Sequence, residues 1–359
     1  MTNRRQEAPL SSLRRCATLL TLWLLAYGVS WASPDIAIIN LSSEKTAYPT
    51  YSSWRQFVAQ VDGKSGSFTT LVKAERLPAS FILKVYDFEG KLLKETPIPE
   101  FVNGPGSTWE WALSADGSKI VYRDREDIKL LDVASQTTSM VWKGAMSKYG
   151  PDFVVRWLSD YELVLCIDIY NDSSRNEISI FNIANMRRKV LYHPSDMHHD
   201  AQLSPDKRLL AFAESPHGHV VNKVITILDL EKGEVVATVG NGDQLIGTLM
   251  WSLDGDELAF VEGQEVKVWR REDQQVRRLT EAKKDTFAGV AFFAKGRIGY
   301  MVRDPNRNYS GFFGLFGGGK DLFVIDSSTG KRLQTLSEQF NGWTFYVEET
   351  NSLIAEIGY

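Results

Sequence analysis

Trp111-Ala-Leu-Ser-Ala-Asp-Gly-Ser-Lys-Ile-Val-Tyr122 decides the fold, because the chain repeats it. Ala201-Gln-Leu-Ser-Pro-Asp-Lys-Arg-Leu-Leu-Ala-Phe212 and Met250-Trp-Ser-Leu-Asp-Gly-Asp-Glu-Leu-Ala-Phe260 carry the same pattern. Each copy reads as a strand, a tight turn and a second strand. Asp and Gly tolerate the backbone angles the turn demands, and Pro presets one of them. A second series lies outside the first: Asp127-Ile-Lys-Leu-Leu-Asp132, Glu177-Ile-Ser-Ile-Phe-Asn182, Val224-Ile-Thr-Ile-Leu-Asp229 and Asp321-Leu-Phe-Val-Ile-Asp326. Each is an apolar, β-branched run that ends in Asp or Asn and is followed by a turn and another apolar run, the pattern of two more strands.

Aligned on the inner strand, the repeats begin near Trp54, Trp111, Val155, Ala201, Leu249, Val290 and Trp343. Most gaps are about 41 to 48 residues, the length of a four-stranded blade. The expectation is an all-β chain folded as a β-propeller of seven four-stranded blades, with six as the alternative. The ends suit a ring closure. Trp343 to Val347 and Leu353 to Ile357 supply two strands, and Asp35-Ile-Ala-Ile-Ile-Asn40 resembles an outer strand lacking inner partners. Pairing them removes two exposed edges; in the six-blade alternative residues 33–53 form an arm. Residues 54–359 are read as the propeller and 33–53 as a segment contributing the closing strand.

Residues 1–32 read as a secretory signal peptide. Arg4, Arg5, Arg14 and Arg15 precede an apolar core from Ala17 to Val29, and Ser30-Trp31-Ala32 offers small residues at a cleavage site. The core is shorter than the 18 or more residues of a spanning helix. The chain is therefore expected in the periplasm or secreted, with no stable transmembrane helix after cleavage; an uncleaved anchor in the inner membrane is the alternative. Cys16 falls inside the leader and leaves Cys166, within Leu163-Val-Leu-Cys-Ile167, as a buried thiol with no intramolecular partner. Losing four Arg and one Glu with the leader moves the formal charge from −4 to −7. No basic stripe remains, so nucleic acid is not expected as a partner.

The Ser-x-Asp-Gly turns and Leu-Ala-Phe strands resemble the WD-like repeats of TolB-type propellers. The resemblance spans about residues 54–357 and is strongest at 111–133, 201–230 and 249–268. It implies a bacterial, periplasmic binding scaffold. It is a resemblance to the propeller alone, since about 20 residues separate the leader from the first repeat and the N-terminal α/β domain of TolB has no counterpart there.

Three segments depart from the plain repeat, and propeller topology puts all three on the face that carries the loops between second and third strands and between blades. The first holds all five histidines. His193, His198 and His199 lie on one loop, and His217 and His219 on the loop beside it. With Asp196 and Asp200 they could hold a divalent metal, although the spacing matches no tight zinc motif and solvated loop histidines are the plainer reading. The second is Phe312-Phe-Gly-Leu-Phe-Gly-Gly-Gly-Lys320, in which Phe312, Phe313, Leu315 and Phe316 form an apolar loop suited to a partner contact or to plugging the channel. The third is Asp168-Ile-Tyr-Asn-Asp-Ser-Ser-Arg-Asn176. There Asp168, Asn171, a stacking Tyr170 and an anion-clamping Arg175 could line a polar pocket, or form an ordinary turn-rich loop. No nucleophile elbow and no zinc-protease helix is present. The expected function is a non-catalytic binding scaffold for a protein or cell-envelope ligand that needs no cofactor. The alternative is a metal-dependent carbohydrate-active enzyme, such as a lyase acting on uronic-acid oligosaccharides.

Overall fold

The computed structural model describes residues 35–41, 46–47, 56–62, 65–73, 81–98, 111–124, 127–143, 152–168, 176–195, 201–214, 224–240, 242–244, 246–281, 288–294, 296–303, 320–347 and 351–357. The leader expected over residues 1–32 lies outside them. The described residues contain 27 strands and no helix, hence no helix long and apolar enough to cross a membrane. The chain opens with β1 (Asp35–Asn40) and β2 (Thr46–Ala47). A first sheet follows from β3 (Gln56–Asp62), β4 (Ser67–Lys73), β5 (Phe81–Asp87) and β6 (Leu92–Ile98). The second holds β7 (Trp111–Leu113), β8 (Lys119–Asp124), β9 (Asp127–Asp132) and β10 (Thr137–Trp142). The third holds β11 (Asp152–Trp157), β12 (Glu162–Asp168), β13 (Glu177–Asn182) and β14 (Arg187–Tyr192). The fourth holds β15 (Gln202–Leu203), β16 (Leu209–Glu214), β17 (Val224–Asp229) and β18 (Glu234–Val239), and the fifth β19 (Met250–Trp251), β20 (Glu257–Glu262), β21 (Glu265–Arg270) and β22 (Val276–Glu281). Each of the five is an antiparallel meander in chain order, the arrangement of a β-propeller.

The sixth sheet differs. It contains seven strands: β23 (Ala288–Ala294), β24 (Arg297–Arg303), β25 (Lys320–Asp326), β26 (Arg332–Val347), β27 (Ser352–Ile357), β1 and β2. The expected seven separate blades are thus corrected to six sheets. The reason is β26, a continuous strand of 16 residues where a break before Trp343 was expected. Its first half pairs with β25 and, after a register shift between Phe340 and Thr344, its second half pairs with β27. Strands assigned to a seventh blade therefore extend the sixth sheet. Asp35–Asn40 does pair with the C-terminal strand, in the register Ile36↔Glu356, Ile38↔Ile354 and Asn40↔Ser352. The wide sheet folds back on itself: Ala37, Ile39 and Leu353 share a core cluster with Phe292, Leu322 and Val324, and Tyr346 stacks on Phe292 at 5.6 Å.

The repeated turns repeat atom by atom. Ser114, Ser204 and Ser252 each donate a hydroxyl to the aspartate two residues on, Asp116, Asp206 and Asp254, at 2.6 Å. The same hydroxyl oxygens accept the backbone N–H of Lys119, Leu209 and Glu257 at 2.9 Å. The residue after the aspartate takes a left-handed backbone: Gly117 and Gly255 at φ 70° and 77°, and Lys207 at φ 59° where glycine is missing. Consecutive sheets pack face to face through separate apolar clusters. Trp157 donates its indole N–H to Ala112 O (3.1 Å) and Trp251 to Gln202 O (3.0 Å), so these two residues fasten the third sheet to the second and the fifth to the fourth near the ring axis.

Candidate functional site

The second strand of a sheet ends on the face that carries the long loops, and four of these ends bear an acid, Asp168 of β12 and three that follow the Leu-Ala-Phe type of strand. Asp124, Glu214 and Glu262 close β8, β16 and β20. In β8 and β20 the acid is neutralised by a lysine on the next strand. Lys129 bonds Asp124, and Lys267 reaches Glu262 at 2.6 Å. Lys129 lies opposite Tyr122 and Lys267 opposite Phe260. The corresponding place in the fourth sheet, opposite Phe212, is Thr226. Among the described residues no lysine therefore pairs with Glu214, although it is buried (6 % exposed).

Hydrogen-bond donors replace the cation. Glu214 Oε1 accepts from Tyr192 Oη (3.1 Å) and from the Thr226 hydroxyl, and Oε2 accepts from the backbone N–H (3.3 Å) and hydroxyl (3.4 Å) of Ser195. Four donors thus converge on the two oxygens of one buried carboxyl group. Burial, then the adjacent Glu214 charge, pushes the Tyr192 phenol up to about 12. The network ties the segment after β14 to the fourth sheet and fixes the root of the histidine-bearing loop.

His193 is exposed at that root. Its Nδ1 lies 2.9 Å from the carbonyl oxygen of Asn176. A carbonyl only accepts, so Nδ1 is the donor of this pair. Asn176 is itself buried (1 % exposed) and its amide reaches Ser195 O at 3.5 Å. Beside it Glu177 takes a two-oxygen contact from Arg188 at 3.1 Å, and the Arg188 guanidinium lies over the Trp142 ring at 4.3 Å. The ends of two loops on this face are thus joined through Asn176, His193, Ser195 and Glu214.

Of the residues singled out in the sequence, the structure brings His193 to this cluster. Asp168 ends β12 opposite Asp152 of β11, on the same face. Tyr170, Asn171, Arg175, His198, His199, His217, His219, Asp196, Asp200, Phe312, Phe313, Leu315 and Phe316 lie outside the described residues. Among the described residues no three His, Cys, Asp or Glu side chains gather as a metal site. Cys166 is buried, and desolvation pushes its thiol up to about 12. Sequence reasoning missed Glu214, Thr226 and Tyr192. The signal was available in the repeat: Leu-Ala-Phe-x-Glu occurs at 210–214 and 258–262, and only one copy is followed by the matching lysine.

A second feature lies between the first and second sheets, on the tight-turn side. A cleft of about 200 Å³ is lined by Ser67, Thr69, Thr96, Leu83, Leu113 and Asp116, among others. It exists because β4 offers Ser67 and Thr69 to this seam, where β16 offers buried apolar side chains to its own. Against this geometry no protein-family model matches the chain, and no curated protein matches it either.

Proposed function

We propose that the chain is an exported, TolB-like propeller that serves as a non-catalytic binding scaffold, presenting the loop face of its third and fourth sheets to a protein or cell-envelope ligand. The observation that carries this reading is the Glu214 network. It joins Tyr192, Ser195 and Thr226 to Glu214 with four hydrogen bonds on the face we assign to recognition. Periplasmic residence rests on the leader anatomy of residues 1–32. The test is site-directed photocrosslinking in the native cell, with the probe placed at His193 and, as control, at Asp116 on the opposite face. Crosslinked product at His193 and none at Asp116 supports the reading; equal labelling at both defeats it.

One observation favours a second reading, a metal-dependent carbohydrate-active enzyme. Exposed His193 donates its Nδ1–H to the Asn176 carbonyl, the kind of contact that orients a ligating histidine. Stoichiometric divalent metal in the untagged mature protein, lost in His193→Ala, would favour this reading over the scaffold.

A further inference from the structure

We infer that the cleft between the first and second sheets binds a short branched aliphatic carboxylate, its charged end on Lys94, Thr96 and Thr69 and its alkyl end on Leu83, Val85 and Leu113. The site is on the tight-turn side of the ring and does not rest on the function proposed above.

The repeat explains why there is space. The residue that pairs with the terminal Asp or Asn of the third strand sets the register: Ser67↔Asp87, Lys119↔Asp132, Glu162↔Asn182 and Leu209↔Asp229. Two residues on stand Thr69, Val121, Val164 and Ala211. The last three are fully buried, and Thr69 is half-buried. Thr69 thus brings a hydroxyl where three other sheets bring an aliphatic wall. It faces the second sheet, because Leu71, two residues further along β4, packs in one cluster with Trp111 and Leu113. The opposite wall is cut back as well. Leu113 pairs with Ile120 as Trp157 pairs with Leu163 and Trp251 with Leu258. A leucine therefore stands where the third and fifth sheets fill the seam with an indole. Leu203 of the fourth sheet is equivalent, but it packs with Val154 and Val164 in an apolar seam. Between the first and second sheets a shortened wall meets a hydroxyl-bearing one, and a cleft of about 200 Å³ remains.

The lining selects the ligand. Lys94 and Thr96 are two residues apart on β6 and both line the cleft. Lys94 pairs with Val85 and Val85 with Thr69, so these three form one row across the sheet. Among the described residues no carboxylate pairs with Lys94; the adjacent Glu95 turns to the other face and takes Lys84 at 2.9 Å. The Thr69 and Thr96 hydroxyls likewise have no partner among the described residues. Asp116 also lines the cleft, but its oxygens accept from the Ser114 hydroxyl (2.6 Å) and from the Ser118 N–H (3.0 Å) and hydroxyl (2.7 Å). It follows the innermost strand of its sheet, whereas β6 is the outermost of its own, so the two charges lie toward opposite ends. An ammonium and two hydroxyls call for an oxyanion. The aliphatic Leu83, Val85, Leu113 and Val133 call for an alkyl group beside it. Among the described lining residues there is no aromatic ring for a planar ligand to stack on. At about 30 Å³ for a water-sized atom, the cleft takes roughly seven heavy atoms, the size of isovalerate.

The experiment is calorimetric titration of the full mature chain with isovalerate, at constant ionic strength held by chloride. Saturable binding with a Kd of about 1 mM or tighter is expected. Isovaleramide has the same shape without the charge and should bind at least about tenfold more weakly. Acetate, which lacks the branched chain, should do the same. Leu113→Trp puts into this seam the residue that the third and fifth sheets carry there, and should abolish binding while keeping a cooperative melt. Lys94→Met, at an exposed position, should weaken isovalerate binding at least about tenfold and remove the preference over the amide. Thr69→Val copies β8 and β12 and should weaken binding about threefold to tenfold, the loss of one hydrogen bond. Should Leu113→Trp fail to fold, Lys94→Met and the amide decide. A wild-type chain that does not saturate with isovalerate, equal binding of isovalerate and its amide, or unweakened binding by Lys94→Met or by folded Leu113→Trp overturns the inference.

Discussion

Glu214→Ala is the most direct test of the loop-face network. It removes the acceptor for the Thr226 hydroxyl, which is 2 % exposed and cannot turn to water. A buried donor left without a partner costs about 1–3 kcal/mol. Tyr192 Oη loses the same acceptor but is on a half-buried residue and recovers part of the loss from solvent, leaving roughly 0.5–1.5 kcal/mol. The sum is about 1.5–4.5 kcal/mol, against a net stability of ~5–15 kcal/mol for a typical domain. For a chain of this size that lowers Tm by roughly 2–6 °C in a calorimetric melt. The repeat sharpens the test, because Thr226 stands where β9 and β21 carry the lysines that neutralise Asp124 and Glu262. Thr226→Val removes the donor and should cost ~1–2 kcal/mol. Thr226→Lys rebuilds the pairing seen in β20–β21 and should cost less than Thr226→Val. A wild-type melt for Glu214→Ala would refute the structural role of the network. A Thr226→Lys protein less stable than Thr226→Val would refute the equivalence of the three acids.

Trp251→Phe keeps most of the ring contact with Trp269 (6.2 Å, edge to face) but leaves the Gln202 carbonyl without its indole donor; a loss of about 1–3 kcal/mol in a denaturant melt is expected, and no loss would mean that the axial fastening is cosmetic. Acid should unfold the ring partly through its turns. Hydrogen bonds from the Ser114 hydroxyl and from Ser118 hold the Asp116 carboxyl down to about 2. A folded pKa below the unfolded one gives stability that is present above about pH 4 and is lost as pH falls toward 2. Asp116→Asn should therefore flatten the stability-against-pH curve between about pH 4 and 2, and an unchanged slope would count against the turn. At the leader, mass spectrometry of the exported protein should find Ser33 or a close neighbour as its first residue; retention of residues 1–32 would overturn the export reading.

The architecture was legible because two short-range devices repeat. The Ser-x-Asp turn announces itself through Asp116, Asp206 and Asp254, and the Asp or Asn ending of each third strand bonds the following turn. Asp132 accepts from Ser135 N–H, Asp229 from Lys232 N–H and Asp326 from Thr329 N–H at 2.8–3.0 Å. Local hydrogen bonds of this kind are written in the order of residues. The number of sheets was not, because it depends on whether Gln334–Trp343 bends or runs straight. β26 runs through, and its two halves find partners on opposite sides, β25 and β27. Nothing in the residue types of that stretch marks the difference, and the pairing is decided by strands hundreds of residues away, β1 among them.

The site was harder to read because its information lies in a substitution between repeats. Histidines attract attention by type, yet His193 gains its meaning from the Asn176 carbonyl that accepts its Nδ1–H. Glu214 resembles any acid at a strand end until Thr226 is set against Lys129 and Lys267 across the ring. Thr69 is ordinary until Val121, Val164 and Ala211 show what its position holds elsewhere. In a propeller each blade is a control for the others: the same backbone place is sampled several times under the same packing. A residue that breaks the local rule, a carboxylate without its lysine or a hydroxyl among apolar equivalents, therefore marks where one seam is built differently from its neighbours. Thr69 lines the seam between the first and second sheets, and Glu214 closes the loop end of the seam between the third and fourth. The Trp157 and Trp251 fastenings flank that seam on either side and leave it free of an indole. Glu214 thus takes hydroxyl and backbone donors where Asp124 and Glu262 take lysines.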